Sequence, residues 1–240
     1  MKTRNCERRF LIGLCCLALS VSACIKGEIL CGKCESGKIT VTAYDTTFNI
    51  IAEKQLSGCG PYSLVIPSSY IGQSIHLLAH CDEDDSGELS AGDCFGDYGD
   101  DKYVFWNLMT VESMNEEINI TIDRDITSTI EGEVSCDIYT SGLVTIGAFE
   151  GAPPPSGPTL SIGDYYQLDD NKKTSYKIFV YDIPLGGEVW VGSLWDVDGS
   201  RGPSACDYGN YYPGNPIVLE EEIMGIDFPG CEFQIPPCEE

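Results

Sequence analysis

Residues 26–45, KGEILCGKCESGKITVTAYD, recur 105 residues later as residues 131–150, EGEVSCDIYTSGLVTIGAFE. Seven of these twenty aligned positions are identical, and the alignment needs no gap. A second block, residues 61–93, aligns with residues 175–207 at a shift of 114. Because repetition at a fixed period is the signature of a duplicated structural unit, the chain is expected to contain two tandem domains.

Both copies show an apolar period of two, which is typical of half-buried β-strands. In the first copy Ile39, Val41 and Ala43 share one face of a strand, and their counterparts begin at Val144. Similar runs are separated by turns that contain glycine, proline or serine, at residues 62–66, 75–81, 118–122, 176–181 and 189–195. Short strands at this spacing predict an all-β fold of β-sandwich type.

The N-terminus reads as an export signal. Four basic residues precede the apolar stretch at residues 10–21, which is too short to cross a bilayer. The following Val-Ser-Ala-Cys, residues 21–24, resembles the lipobox of bacterial lipoproteins. We therefore expect residues 1–23 to be removed and Cys24 to be lipidated; the alternative is ordinary secretion with cleavage after Ala23.

The lipoprotein interpretation also predicts a location. The residue after the lipidated cysteine is Ile25 rather than the aspartate that, in the family it resembles, retains lipoproteins in the inner membrane. We therefore expect a bacterial cell-envelope protein held by its lipid in the outer membrane. The domain prediction becomes a signal peptide at 1–23, a first repeat at 24–129 and a second at 130–240, with the boundary near residues 125–130.

Charge narrows the choice of partner. The chain has 14 Lys and Arg against 38 Asp and Glu, a net charge of −24. A protein this acidic lacks the basic surface that neutralises phosphates, so nucleic acid is excluded as an expected partner and cations are favoured.

Nine cysteines follow Cys24, and export to an oxidising compartment predicts disulfides among them. Because nine is odd, at least one should be free or paired between chains. Cys31 and Cys34 form a Cys-x-x-Cys sequence, but no βαβ pattern surrounds it to favour redox catalysis. From spacing alone we expect a disulfide between Cys81 and Cys94.

An acidic loop carries the clearest chemical signal. The segment DEDDSGELSAGD, residues 82–93, matches a twelve-residue calcium loop in its oxygen donors and its turn glycine. The predicted metal ligands are Asp82, Asp84, Ser86, Glu88 through its carbonyl, and Asp93. Aspartate at the last position reaches less far than glutamate, so a dissociation constant on the order of 0.1 to 1 mM is expected. A solvated acidic turn is the alternative.

The second copy keeps the oxygen donors but changes the turn. Its candidate ligands are Asp196, Asp198, Ser200 and Asp207. Arg201 replaces the turn glycine, so it can neutralise the carboxylates in place of a metal ion.

Each copy resembles the transthyretin-like, carboxypeptidase-regulatory-like β-sandwich repeats of bacterial surface lipoproteins. The shared features are Gly-Pro-x-Ser-Leu at residues 60–64, Asp-x-Asp at 82–84, Gly-Asp at 92–93 and Gly-x-Tyr-Gly at 96–99. The resemblance covers nearly all of the mature chain. It implies two Greek-key, prealbumin-like sandwiches and a non-catalytic role.

Catalytic constellations are not apparent in the sequence. The two histidines, His76 and His80, are separated by about 13 Å along one predicted strand, too far to ligate one zinc ion. His80 and Cys81 are chain neighbours and point to opposite faces. We therefore predict that the protein is not an enzyme.

Two functions remain open. One is a structural or interaction module, stabilised by calcium and disulfides. The other is a carbohydrate- or ligand-binding protein that uses aromatic residues of the second repeat: Trp195, Tyr208, Tyr211 and Tyr212. One exposed platform formed by these four rings would favour binding, whereas burial would favour the module.

Overall fold

The protein was analysed as a computed structural model that describes residues 22–34, 37–46, 49–99, 108–115, 117–138, 143–151, 161–162, 165–166, 168, 172–197 and 206–235. These residues form β-strands, turns and one short 3₁₀ helix, Ser68–Tyr70. The prediction of an all-β sandwich fold is confirmed. No helix among them is long and apolar enough to span a membrane.

The described residues of the first half form nine strands: β1 (Ala23–Cys31), β2 (Lys38–Tyr44), β3 (Ile50–Leu56), β4 (Gly60–Ile66), β5 (Ser74–Asp82), β6 (Cys94–Asp97), β7 (Leu108–Thr110), β8 (Met114–Asn115) and β9 (Ile120–Ile122). In one sheet β1 pairs antiparallel with β4 and parallel with β8 and β9. In the other, β2 lies between β3 and β5, and β5 pairs with β6 and β7. Apolar residues of both sheets enclose one core.

In the part of the second half that the structure describes there are eleven strands: β10 (Arg124–Ser135), β11 (Leu143–Phe149), β12 (Ser161–Ile162), β13 (Tyr165–Tyr166), β14 (Lys173–Tyr181), β15 (Glu188–Asp196), β16 (Tyr208–Tyr211), β17 (Ile217–Val218), β18 (Glu222–Ile223), β19 (Phe228–Pro229) and β20 (Phe233–Gln234). The pairings of β1, β2 and β5 recur here for β10, β11 and β15. A second core lies between the two sets of strands. Strands β12 and β20 pair with β14 and β16 and have no counterpart among the described strands of the first half.

A glycine and a tyrosine mark the same place in both halves. Gly27 of β1 lies opposite Tyr62 of β4, whose hydroxyl donates to the carbonyl of Ile118 at 2.7 Å. The second half repeats this with Gly132, Tyr176 and Ile226, at 2.6 Å. A Cβ at either glycine would overlap that carbonyl oxygen. We call each set of glycine, tyrosine and isoleucine carbonyl a clamp.

Neighbouring hydrogen bonds of the clamp are repeated as well. The amide of Ile118 donates to the carbonyl of Lys26, as that of Ile226 does to Glu131. The amide of Glu28 donates to the Asn119 side chain at 2.9 Å, and its counterpart Glu133 donates to Asp227 at 2.8 Å. In the first half these bonds satisfy backbone groups of β1 in the gap between its parallel neighbours β8 and β9. In the second half they do the same for β10 between β18 and β19.

Strand β10 connects the two halves. Its first residues, Arg124 and Asp125, pair with β6 of the first half, and its remainder pairs with β14 of the second. One sheet therefore runs through both halves. The predicted boundary near residues 125–130 falls inside this strand, at a register irregularity between Ile126 and Ser128.

Charged side chains hold the junction. The buried guanidinium of Arg124 lies 3.4 Å from Asp97 and over the rings of Phe95 and Tyr181. Lys33 contacts Asp125 at 2.7 Å, and hydrogen bonding to that carboxylate raises the pKa of Lys33 above its ordinary value. The junction is thus a packed contact between the two halves.

The disulfides differ from the expected pairing. Cys34 bonds to Cys81, so the predicted Cys81–Cys94 bridge is wrong, although Cys81 and Cys94 are directly opposed in β5 and β6. Cys31 bonds to Cys59, so Cys31 and Cys34 form no redox pair with each other. Cys136 bonds to Cys231, and Cys206 is also in a disulfide. In the described part of the chain the free thiols are Cys24 and Cys94.

The clamp generates a stability prediction. Tyr62→Phe removes the hydroxyl that satisfies the Ile118 carbonyl and should lower the free energy of unfolding by about 1 to 2 kcal/mol. Gly27→Ala forces the strands apart and should cost about 3 kcal/mol or more. Urea denaturation with disulfides intact measures both. Tyr70→Phe is the control, since no described residue accepts a hydrogen bond from its hydroxyl; an effect of Tyr62→Phe no larger than this control would contradict the prediction.

Candidate functional site

The acidic loop is the connection between two paired strands. Strand β5 ends at Asp82 and β6 begins at Cys94, directly opposite Cys81. This pairing closes the ends of the loop. The structure brings together Asp82, Asp84 and Asp93, with one carboxylate oxygen from each lying within 4.8 Å of the others. Asp93 and Asp82 are buried, and Asp84 is exposed.

Backbone amides of the loop point at these carboxylates. Asp82 accepts hydrogen bonds from the amides of Ser86 and Gly87, at 3.0 and 2.9 Å. Asp93 accepts from the amides of Glu83 and Ser90, at 2.9 and 2.8 Å. The two buried carboxylates are therefore satisfied by the fold. Both oxygens of Asp82 and the Oδ1 atom of Asp93 each accept one of these bonds and retain a second lone pair for a further donor or a cation.

The exposed carboxylate is held in its ionised form. Asp84 accepts from the Ser86 amide at 2.9 Å and from the Ser90 hydroxyl at 3.2 Å. Hydrogen bonding by Ser86 lowers the pKa of Asp84 below its ordinary value. Asp84 thus adds a negative charge beside Asp82 and Asp93 at neutral pH.

The other two predicted ligands lie in the same loop. The Ser86 hydroxyl donates to the carbonyl of Glu88 at 3.0 Å, so these two oxygens are adjacent. Gly87 has a φ of +81°, which only glycine adopts easily, and this explains the glycine at the turn. Leu89 packs on a small apolar cluster that includes Phe95 and fixes the second half of the loop to the sheet.

Lys38, His80 and a disulfide lie at the edges of the loop. Lys38 forms an ion pair with the neighbouring Asp85, outside the group of three carboxylates. His80 places its Nε2 atom 3.5 Å from Asp93. The Cys34–Cys81 disulfide joins the end of β5 to the segment after β1, so a covalent bond anchors the base of the loop.

Part of the corresponding site in the second half can be compared. Asp196 and Asp207 are buried, as Asp82 and Asp93 are. The Val197 amide donates to Asp207 at 2.9 Å, which reproduces the bond from Glu83 to Asp93. Asp198, Ser200 and Arg201 lie outside the described residues.

The predicted lipidation site is in a strand. Cys24 is the second residue of β1 and is buried, with its Sγ atom 3.3 Å from the Ser63 hydroxyl. It lies opposite Val65, which is 56% exposed, whereas the next residue, Ile25, faces the core. The predicted signal segment, apart from its last two residues, is outside the described part of the chain.

The four predicted aromatic ligands do not form one platform. Trp195 is buried in the second core and stacks on Tyr208, and Tyr212 packs against Phe228. Tyr211 alone lies on the opposite face, where it stacks on Phe233. The four rings therefore do not provide the single exposed surface that would favour binding, because β16 alternates and Tyr208 and Tyr211 face opposite sides.

Comparison with known proteins finds little. No family model and no curated protein matches the chain. Among solved structures, the chain is similar to a C-terminally truncated form of the tip fimbrial protein Mfa3 from Porphyromonas gingivalis, with a TM-score of 0.31 and 8% sequence identity, covering 82% of this chain and 80% of that chain. A similarity this low says nothing about function, which must be argued from the residues themselves.

Proposed function

We propose that this protein is a non-catalytic, lipid-anchored module of the bacterial cell envelope, built from two duplicated sandwiches and stabilised by calcium. Its units are residues 24–129 and 130–240. The observation that carries the proposal is the convergence of three carboxylates on a loop whose turn is already formed. Such an arrangement offers hard oxygen ligands, which Ca²⁺ prefers.

The donor set fits a calcium ion. Asp82, Asp84 and Asp93 would supply carboxylate oxygens, and Ser86 and Glu88 a hydroxyl and a carbonyl. A bound cation would relieve the repulsion among the three carboxylates and tie the loop to the end of β5. In the second half, Asp196 and Asp207 would contribute to a related site.

The contacts around the loop support a non-catalytic role. His80 and Ser90 both lie against Asp93, as in a serine hydrolase, but the single proton of the Ser90 hydroxyl is shared between the carboxylates of Asp93 and Asp84, at 3.1 and 3.2 Å, and no hydrogen bond links it to the Nε2 atom of His80. A nucleophilic serine needs a base that accepts its proton. The free thiol of Cys94 faces the core, opposite to His80, and burial raises its pKa to about 12, so it is held as an unreactive thiol.

The position of Cys24 supports the anchor. Its neighbour across the sheet, Val65, is exposed, as is Met114 on the other side. An acyl chain on Cys24 would therefore leave from the outer face of the sheet without crossing the core. Lipidation precedes folding in this proposal, so burial of the thiol in the folded chain does not oppose it.

Calcium should stabilise the folded protein. With a dissociation constant of 0.1 to 1 mM, about 10 mM CaCl₂ should raise the free energy of unfolding by about 1.4 to 2.7 kcal/mol relative to EDTA. Asp84→Asn should abolish most of this gain with little change in EDTA, because Asp84 is exposed. Urea unfolding measures both.

Two controls isolate the site. Asp85→Asn removes an adjacent exposed carboxylate that lies outside the cluster, and it should retain the calcium response. Equimolar MgCl₂ corrects for general screening of an acidic protein. Equal stabilisation of the wild type and Asp84→Asn by calcium would exclude this loop as the binding site.

The anchor predicts a labelling pattern. Cells grown with labelled palmitate should incorporate it into the wild-type protein and not into Cys24→Ala, because the thiol is the acceptor. Cys16→Ala, a change within the signal segment, should keep the label. Undiminished labelling of Cys24→Ala would exclude lipidation at this residue.

A further inference from the structure

The outer face of the second half carries a row of aromatic side chains. Phe149 of β11 lies opposite Trp190 of β15, Tyr211 of β16 lies opposite Gly192, and Phe233 of β20 lies opposite Gly209. Strand alternation places these four residues on the face away from the second core. The row therefore crosses four adjacent strands, roughly 15 Å at the usual strand spacing.

Two glycines lie beneath the middle of this row and leave room for its rings. A Cβ at Gly192 would lie 2.8 Å from the ring of Tyr211, and one at Gly209 would lie 3.5 Å from the ring of Phe233. Both rings therefore lie against the sheet. They are inclined to each other by 19°, with centroids 5.8 Å apart. The rings of Tyr211 and Phe233 are therefore nearly parallel and lie next to each other on the outer face of the sheet.

The first half shows what duplication changed. At the positions equivalent to Gly192 and Gly209 it has Leu78 and Phe95, both buried in the cluster at the junction. The residue equivalent to Tyr211 is Asp97, which pairs with Arg124. In the first half this face packs in the junction. In the second half the equivalent face has glycines, and aromatic rings lie over them.

The rings remain accessible. Phe233 is 42% exposed, and Phe149, Trp190 and Tyr211 are half-buried. Neither the indole N–H of Trp190 nor the hydroxyl of Tyr211 has a hydrogen-bond partner among the described residues, so both can bond to a ligand. Burial raises the pKa of Tyr211 above its ordinary value, so its hydroxyl remains a donor at neutral pH.

We infer that the row Phe149, Trp190, Tyr211 and Phe233 binds an uncharged glycan chain. Exposed aromatic faces match the apolar C–H face of a sugar ring, and an extended row of them matches a linear chain. The net charge of −24 opposes an anionic polymer or a second copy of this protein.

This inference names the partner of the proposed module but does not depend on calcium or on the lipid. The probes are soluble neutral polysaccharides, a β-glucan, an α-glucan, a mannan and a xylan, immobilised in native gels. At least one should retard the protein in EDTA, independently of salt. Tyr211→Ala and Phe233→Ala should each weaken retardation about tenfold, because each removes one stacking ring.

Controls separate binding from folding. Met224→Ala removes an exposed apolar side chain outside the row and should bind as the wild type. Phe233→Ala should keep the near-UV spectrum and unfolding midpoint within the range of this control, because Phe233 is exposed and near the end of the described chain. Three results would overturn the inference. None of the four glycans retards the protein, the ring variants are retarded as strongly as the wild type, or the protein binds only a basic proline-rich peptide. None of these results would bear on the calcium response or on lipidation.

Discussion

In each half of the protein a tyrosine hydroxyl reaches across a glycine to a backbone carbonyl. The bond joins the two neighbours of the first strand, the antiparallel strand that carries the tyrosine and the parallel segment that carries the carbonyl. The carbonyl occupies the space of a missing side chain, so only glycine permits this approach. Burial raises the pKa of Tyr62, which keeps its hydroxyl protonated as a donor. The sheet built around this strand closes one side of each core.

The other sheet carries the acidic loop in the first half and the aromatic row in the second half. In the first half its strand ends hold the acidic loop, and one face of it forms the junction with β10. Arg124 is buried there, and its charge is balanced by Asp97 and by the faces of two aromatic rings. Among the described residues of the second half, the equivalent face makes no such contact with the other half and bears the aromatic row. Equivalent faces of the two halves therefore differ: one packs in the junction, and the other bears exposed aromatic rings.

Local features were predictable from the sequence. The alternation at Ile39, Val41 and Ala43 identifies their buried face, and the acidic loop lies between strands as its spacing suggests. Long-range pairing was not predictable. Cys81 has Cys94 directly opposite and yet bonds to Cys34, because the segment after β1 crosses the end of β5. Phe233 was not singled out because a two-residue strand has no periodicity. The sequence left open whether Trp195 is buried, because composition does not tell which face of β15 is outer.

The most direct test of the clamp is hydrogen exchange measured by mass spectrometry on Tyr176→Phe. Loss of about 1 kcal/mol of local stability should accelerate exchange roughly fivefold in β10 after residue 128 and around residue 226. Exchange in β1 and around residue 118 should stay at the wild-type rate, because the clamp of the first half is intact. Unchanged exchange around residue 226, or equal acceleration in both halves, would contradict the account.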